Sequence, residues 1–318
     1  MSFNPLAPFK MSVIRQSSLF SRFDFFIMGA TSDTRGYALY RKMKAEGVHI
    51  AKTIVLDYKK QRPSIHDSVA YKNYYSLKSE NVSYISCEIE GYGSLYINGL
   101  EINNACSLLL DITSIAIPDI SRILFVFYSL KGISGLDVAY TEPKYYTDTK
   151  DLFFNYKHLL VKREYRPINE YYMSAVSRDL VLVCFLGFDR LVSKYIHERK
   201  EHSDVLVING FPSYMPKLKD VSLEHNYELI STIGVDRVRY AQANNPFSAY
   251  NALVDVSKEH PNAILDICVL GSKPMALGAS VFALKNPEHA RISYPFTSEH
   301  GYHATIEVSD IWYYRINM

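Results

Sequence analysis

The feature that most constrains this chain is that one order of elements is written into it twice. In the first half the apolar run FDFFIMG, Phe23 to Gly29, reads as a buried strand. It is followed by the polar turn ATSDTRG and by YALYRKMKAEG, whose spacing predicts a helix ending at Gly47. In the second half DLVLVCFLG, Asp179 to Gly187, is again a buried strand, followed by FDR and by LVSKYIHERKEH at helical spacing. The β-branched runs IAKTIVLDY (Ile50 to Tyr58) and SDVLVINGF (Ser203 to Phe211) then correspond. So do SLLLDITS (Ser107 to Ser114) and AILDICVLGS (Ala263 to Ser272), each leading into a helical pattern, and after those GLDVAYTEP and HARISYPF. Ser114 and Ser272 stand at the same offset as Gly29 and Gly187, so element order and spacing agree although few identities survive.

Strands alternating with helices favour parallel pairing through right-handed crossovers. The expected fold is therefore α/β, with two pseudo-duplicated Rossmann-like units and mostly parallel sheets. The expected organisation is an N-terminal extension over 1–22, a first unit over 23–155, a junction over 156–178 and a second unit over 179–318. Alternation in residues 71–104 predicts antiparallel strands inserted in the first unit. A length of 318 residues with 48% hydrophobic content suffices for one large or two medium domains.

Charge and cysteine usage narrow the function classes. Thirty-five Lys+Arg against 33 Asp+Glu give a net charge of only +2, which removes the electrostatic reason for general nucleic-acid or anionic-membrane binding. No apolar run reaches membrane-spanning length and the start carries no secretory pattern, so a cytoplasmic location is expected. Cys87, Cys106, Cys184 and Cys268 lie far apart in strand-like segments and read as buried thiols rather than disulfides or zinc ligands. The tyrosine pairs, such as Tyr145-Tyr146 and Tyr313-Tyr314, suggest amphipathic surfaces.

In an open parallel sheet, ligands bind outside the carboxyl ends of the strands. The residues that answer to this most clearly run from Leu270 to Gly278. Gly271 permits close backbone approach, Ser272 suits a helix cap, Pro274 suits a first turn, and Lys273 adds a positive charge at the same end. The expectation is an anion site fit for phosphate or a polar base edge. The same residues would also serve an ordinary helix start with Lys273 in solvent. The spacing is neither that of a P-loop nor that of a G-x-G-x-x-G fingerprint.

The run VLGSKPMALGASVFAL (Val269 to Leu284) resembles the strand-to-helix signature of CARF domains, the Rossmann-like sensors of cyclic oligonucleotides associated with CRISPR systems. DITSIAIPDIS (Asp111 to Ser121) resembles a variant of the same turn. Two CARF-like units in one chain are the plan of SAVED sensor domains of bacterial antiphage signalling. The resemblance implies that Thr113, Ser114, Gly271, Ser272 and Lys273 line a nucleotide site. This chain departs from the pattern at Leu270-Gly271-Ser272, where a threonine-glycine pair is usual, and at Ile115, where a lysine is expected. Because two such units fill nearly the whole length, the output is expected through a separate effector protein or homo-oligomerisation.

The loops after the first strands would complete the pocket. Thr31, Ser32, Asp33, Thr34 and Arg35 follow Gly29, and Phe188, Asp189 and Arg190 follow Gly187. Arg35 and Arg190 could pair with phosphate or stack on a base, or else make ion pairs with Asp33 and Asp189. Phe188 or Phe211 would pack against a base, and Asn245 reads as a helix cap. Asp111, Glu142 and Asp189 are weak candidates for acid–base work, which keeps a nucleotide- or glycosyl-bond-cleaving enzyme as one alternative and a non-catalytic interaction subunit as another. The histidine pair His300 and His303 lacks a third ligand at recognisable spacing, and His49, His66, His197, His202 and His225 are expected to be exposed. No cofactor or metal is expected.

Overall fold

A computed structural model describes residues 11–13, 22–30, 34–58, 77, 81–86, 106–129, 135–146, 163–168, 179–188, 197–198, 201–297 and 305–317. The chain is α/β and folds as two compact units, each around a mostly parallel sheet. One comprises Met1–Ala116, Val126–Thr147 and His303–Met318, and the other Ile117–Phe125 and Asp148–Tyr302.

Sheet A carries β1 (Met11–Val13), β2 (Arg22–Ala30), β3 (His49–Asp57), β4 (Val82–Ser86), β5 (Leu108–Asp111), β6 (Gly135–Tyr146) and β13 (Thr305–Asn317). Sheet B carries β7 (Arg163–Pro167), β8 (Leu180–Phe185), β9 (Asp204–Gly210), β10 (Val238–Ala241), β11 (Ile264–Val269) and β12 (Ala290–Thr297). The order in sheet A is β1-β13-β6-β5-β2-β3-β4 and in sheet B β10-β9-β8-β11-β12-β7. Counting only its parallel strands in chain order, each sheet runs third, second, first, fourth, fifth, with antiparallel pairing beyond the fifth. This is the doubly wound order, whose direction reverses between the first and fourth strands.

The flanking strands are where chain order and sheet order part. β13 follows β12 in sequence yet pairs antiparallel with β6, from Thr305↔Tyr146 to Asn317↔Gly135. β7 precedes β8 yet pairs antiparallel with β12. The expectation of one continuous second unit over 179–318 therefore does not describe β13, and part of the stretch read as a junction is a strand of sheet B. The described part of the segment read as antiparallel is β4, which pairs parallel with β3.

The apolar runs become strands because both faces of a parallel sheet are covered, so nearly every position must be apolar. In sheet A, α1 (Ala38–Ala45) buries Leu39, Tyr40 and Met43 against Phe23, Phe26 and Met28. Residues 117–125 of α2 (Ile117–Ser129) group with the second unit. In sheet B, α4 (Tyr227–Ile233), which follows α3 (Pro216–His225), places Leu229 and Ile230 over Leu182, Cys184, Val207 and Cys268. α5 (Pro246–Glu259) packs against α6 (Lys273–Lys285) so closely that a Cβ on Gly278 would lie 2.0 Å from the Pro246 carbonyl oxygen. α6 is buried from Pro274 through Phe282, which explains its lack of a polar face.

Toward the amino ends of the strands, sheet B also buries charge. Asp266 is 0% exposed and receives two parallel hydrogen bonds from Arg291, Nε at 2.9 Å and a terminal nitrogen at 3.1 Å. His202 Nε2 lies 2.8 Å from its other side, and the Ser293 hydroxyl donates to it as well. Burial alone would raise the Asp266 carboxyl, but the bonds from His202, Arg291 and Ser293 outweigh it and hold the group at about 2. The expectation that His202 is exposed is corrected: its side chain is 2% exposed, because it partners this carboxylate. Tyr314, expected at a surface, is wholly buried.

Candidate functional site at the carboxyl edges of the sheets

In each unit a glycine closes the first strand where the strand order reverses. A Cβ on Gly187 would lie 2.2 Å from the Leu270 carbonyl oxygen, and one on Gly29 would lie 2.4 Å from that of Ser114. The loop after the fourth strand thus passes directly over the end of the first in both units. Only a residue without a side chain permits that approach.

At sheet B three loops meet around one backbone carbonyl. Ser272, the N-cap of α6, accepts from the Met275 amide at 3.3 Å and donates to the Ala243 carbonyl. The Tyr214 hydroxyl donates to the same carbonyl at 2.9 Å, and the Ala243 amide donates to the Pro212 carbonyl at 3.0 Å. The loop after β10 is thereby drawn across the ends of β9 and β8 to the start of α6. Asn245 then caps α5, accepting from Phe247 and Ser248 amides.

This places Gly271, Ser272, Lys273 and Phe211 at one edge, as the sequence suggested, but with a different division of labour. The Ser272 hydroxyl is committed on both its donor and acceptor sides. Met275's amide goes to that hydroxyl, Ala276's to the Ser272 carbonyl at 3.0 Å, and Pro274 has none. Positive potential at this helix start therefore rests on the Lys273 ammonium and the helix dipole rather than on a row of amides. Phe188 is half-buried and its carbonyl lies 2.7 Å from His225 Nδ1, so His225 serves the loop instead of facing solvent.

Sequence reasoning did not find Lys217 and Lys219. Both sit in the first turn of α3, which begins after the Phe211 turn, and Lys219 Nζ lies 5.2 Å above the Phe211 ring. The available signal was Pro216 at a helix start with lysines behind it, the same pattern as Lys273-Pro274.

At sheet A, Arg35, Asp111 and Thr113 are joined through Thr141. The Arg35 guanidinium, 7% exposed, donates to the Thr141 carbonyl at 3.0 Å, and the Thr141 amide donates to the Thr113 hydroxyl at 2.8 Å. That hydroxyl in turn donates to Asp111, whose carboxylate also takes the Thr113 amide at 3.0 Å. Asp111 and Thr113 therefore shape the turn after β5. Glu142 accepts from the Trp312 indole at 2.5 Å, tying β6 to β13. Ser114 is buried and its hydroxyl has no hydrogen-bond partner among the described residues. Thr31, Ser32, Asp33, Asp189, Arg190, His300, His303, His66 and Cys87 lie outside the described residues.

Among the described residues no cluster of three or more His, Cys, Asp or Glu could hold a metal ion, and no helix is long and apolar enough to cross a membrane. No protein-family model matches the chain, and no curated protein matches it. One matching solved structure is the crystal structure of a functionally unknown protein from Pseudomonas aeruginosa, 10% identical in sequence. The match covers 86% of this chain and 92% of that one at a TM-score of 0.25. A likeness at that level adds nothing to the reading of the site.

Proposed function

We propose that the protein binds a small nucleotide at the carboxyl edge of sheet B and acts as a sensor of it. Cyclic oligonucleotides are the first candidates, in keeping with the CARF-like and SAVED-like turn, and that resemblance would place the protein in bacterial antiphage defence. Occupancy would be passed to a separate effector or expressed through self-assembly, because a ligand shifts a protein toward whichever arrangement it contacts better.

The observation that carries the reading is the placement of Lys273. It opens a helix at the point where strand order reverses, on a turn held by the two-sided Ser272 hydrogen bond and backed by the close approach at Gly187. A phosphate there meets a cation and a helix start on a rigid floor. The carboxylates proposed for acid–base chemistry at sheet A are engaged in shaping a turn and holding an indole, which favours binding over cleavage.

Lys273→Ala is expected to weaken nucleotide binding by about 1 to 3 kcal/mol, roughly fivefold to 150-fold, without lowering thermal stability. Isothermal titration of the full chain with a panel of linear and cyclic nucleotides measures this. Equal affinity for wild type and variant would remove Lys273 from the site.

A further inference from the structure

Beside the Lys273 helix start lies an aromatic pair that the fold does not need. Phe211 is 51% exposed and Tyr240 is 50% exposed, with ring centroids 6.1 Å apart at 73°. An exposed phenylalanine on a mobile loop would carry little information, but this turn is fastened on both sides. The Phe211 amide donates to the Ala241 carbonyl at 2.7 Å, and the Pro212 carbonyl accepts from Ala243, whose own carbonyl holds Ser272 and Tyr214. The ring is therefore held two hydrogen bonds from the α6 cap.

We propose that Phe211 is a stacking platform for one nucleobase, a purine, of the nucleotide whose phosphate meets Lys273. The proposal rests on the preceding reading of sheet B and adds the ligand's other end. The Lys219 ammonium lies 5.2 Å over one face of the ring and Tyr240 makes a T-shaped contact with it, yet half of Phe211 stays exposed, and that exposed part is the surface offered to a π-ligand. Lys217 is exposed in the first turn of α3, and no ion-pair partner is found for it among the described residues. An exposed aromatic ring with the Lys219 ammonium over it, itself paired with Asp220 at 3.0 Å, suits an anionic aromatic ligand better than a protein partner, since lysine is depleted at the cores of protein interfaces. A purine presents more π-surface to such a face than a pyrimidine, and stacking on an aromatic side chain is worth enough to be measured base by base.

The test uses the full chain and two probes. One is an adenosine triphosphate analogue carrying the fluorescent base aminopurine, and the other is inorganic tripolyphosphate, which lacks a base. The proposal expects aminopurine fluorescence to be quenched on binding. Phe211→Ala should abolish the quenching and weaken the analogue roughly tenfold to a hundredfold, Phe211→Tyr should restore both, and tripolyphosphate affinity should not change. If the analogue binds in a Lys273-dependent way and Phe211→Ala leaves its affinity and fluorescence unchanged, the platform is overturned while the phosphate site stands. If neither probe binds, both fall. If Phe211→Ala instead changes the assembly state with analogue affinity intact, the patch is a protein contact and the platform is overturned.

Discussion

Replacing Asp266 by Ala is expected to cost the second unit about 3 to 5 kcal/mol, because it leaves the Arg291 guanidinium, 13% exposed, without its two-point partner. The loss is read as a drop in the urea midpoint of unfolding. Asp266→Asn keeps acceptor atoms for Ser293 and loses less, although it too leaves Arg291 uncompensated. The same network contributes to the acid dependence of stability. Asp266 has a folded-state value of about 2 against an ordinary value of 3.8, so its stabilisation is fully present above about pH 4 and disappears as pH falls toward 2. Its part of the acid dependence, about 2 to 3 kcal/mol, should be missing from Asp266→Ala. A variant whose stability and acid profile match wild type would show that the cluster is not what holds β11 to β12.

The second large effect is expected at the reversal glycine. Gly187→Ala places a methyl group 2.2 Å from the Leu270 carbonyl oxygen and 3.0 Å from its carbon. That loop cannot withdraw freely, because the Leu270 amide is bonded to the Phe185 carbonyl at 2.9 Å. The expected cost is about 3 kcal/mol, with a fall in melting temperature of roughly 6 °C or more. Nucleotide affinity should fall as well, since the turn carrying Lys273 must shift. Gly29→Ala should destabilise the first unit for the same reason, its obstacle being the Ser114 carbonyl at 2.4 Å. If alanine is accommodated at both positions, the close crossing is not a requirement of either unit.

The paired glycines also mark what the sequence could and could not disclose. Buried parallel strands are long apolar runs, so FDFFIMG, DLVLVCF and ILDICV were visible, and the shared offset of Gly29 and Gly187 corresponds to a shared crossing. Helix caps were visible at Ser272 and Asn245 because a cap needs only local residue types. The flanking strands were not. β7 is mostly charged and β13 is broken by a register shift between Val308 and Ile311, so nothing local places β13 beside β6 rather than beside β12. Asp266 on β11, Arg291 and Ser293 on β12 and His202 ahead of β9 are far apart in sequence and form no motif, which is why His202 read as an exposed residue among charges. At the site, Ser272 and Thr113 were legible as residues of the right type in the right turns. That their hydroxyls are also engaged by Ala243 and Thr141 depends on segments distant in sequence.

Native mass spectrometry of the full chain incubated with linear and cyclic nucleotides tests the central claim most directly. The account predicts a one-to-one adduct whose ligand mass is conserved over time, abundant on wild type and strongly reduced on Lys273→Ala. Adducts of equal abundance on both proteins, or a bare chain with every nucleotide tried, would contradict it.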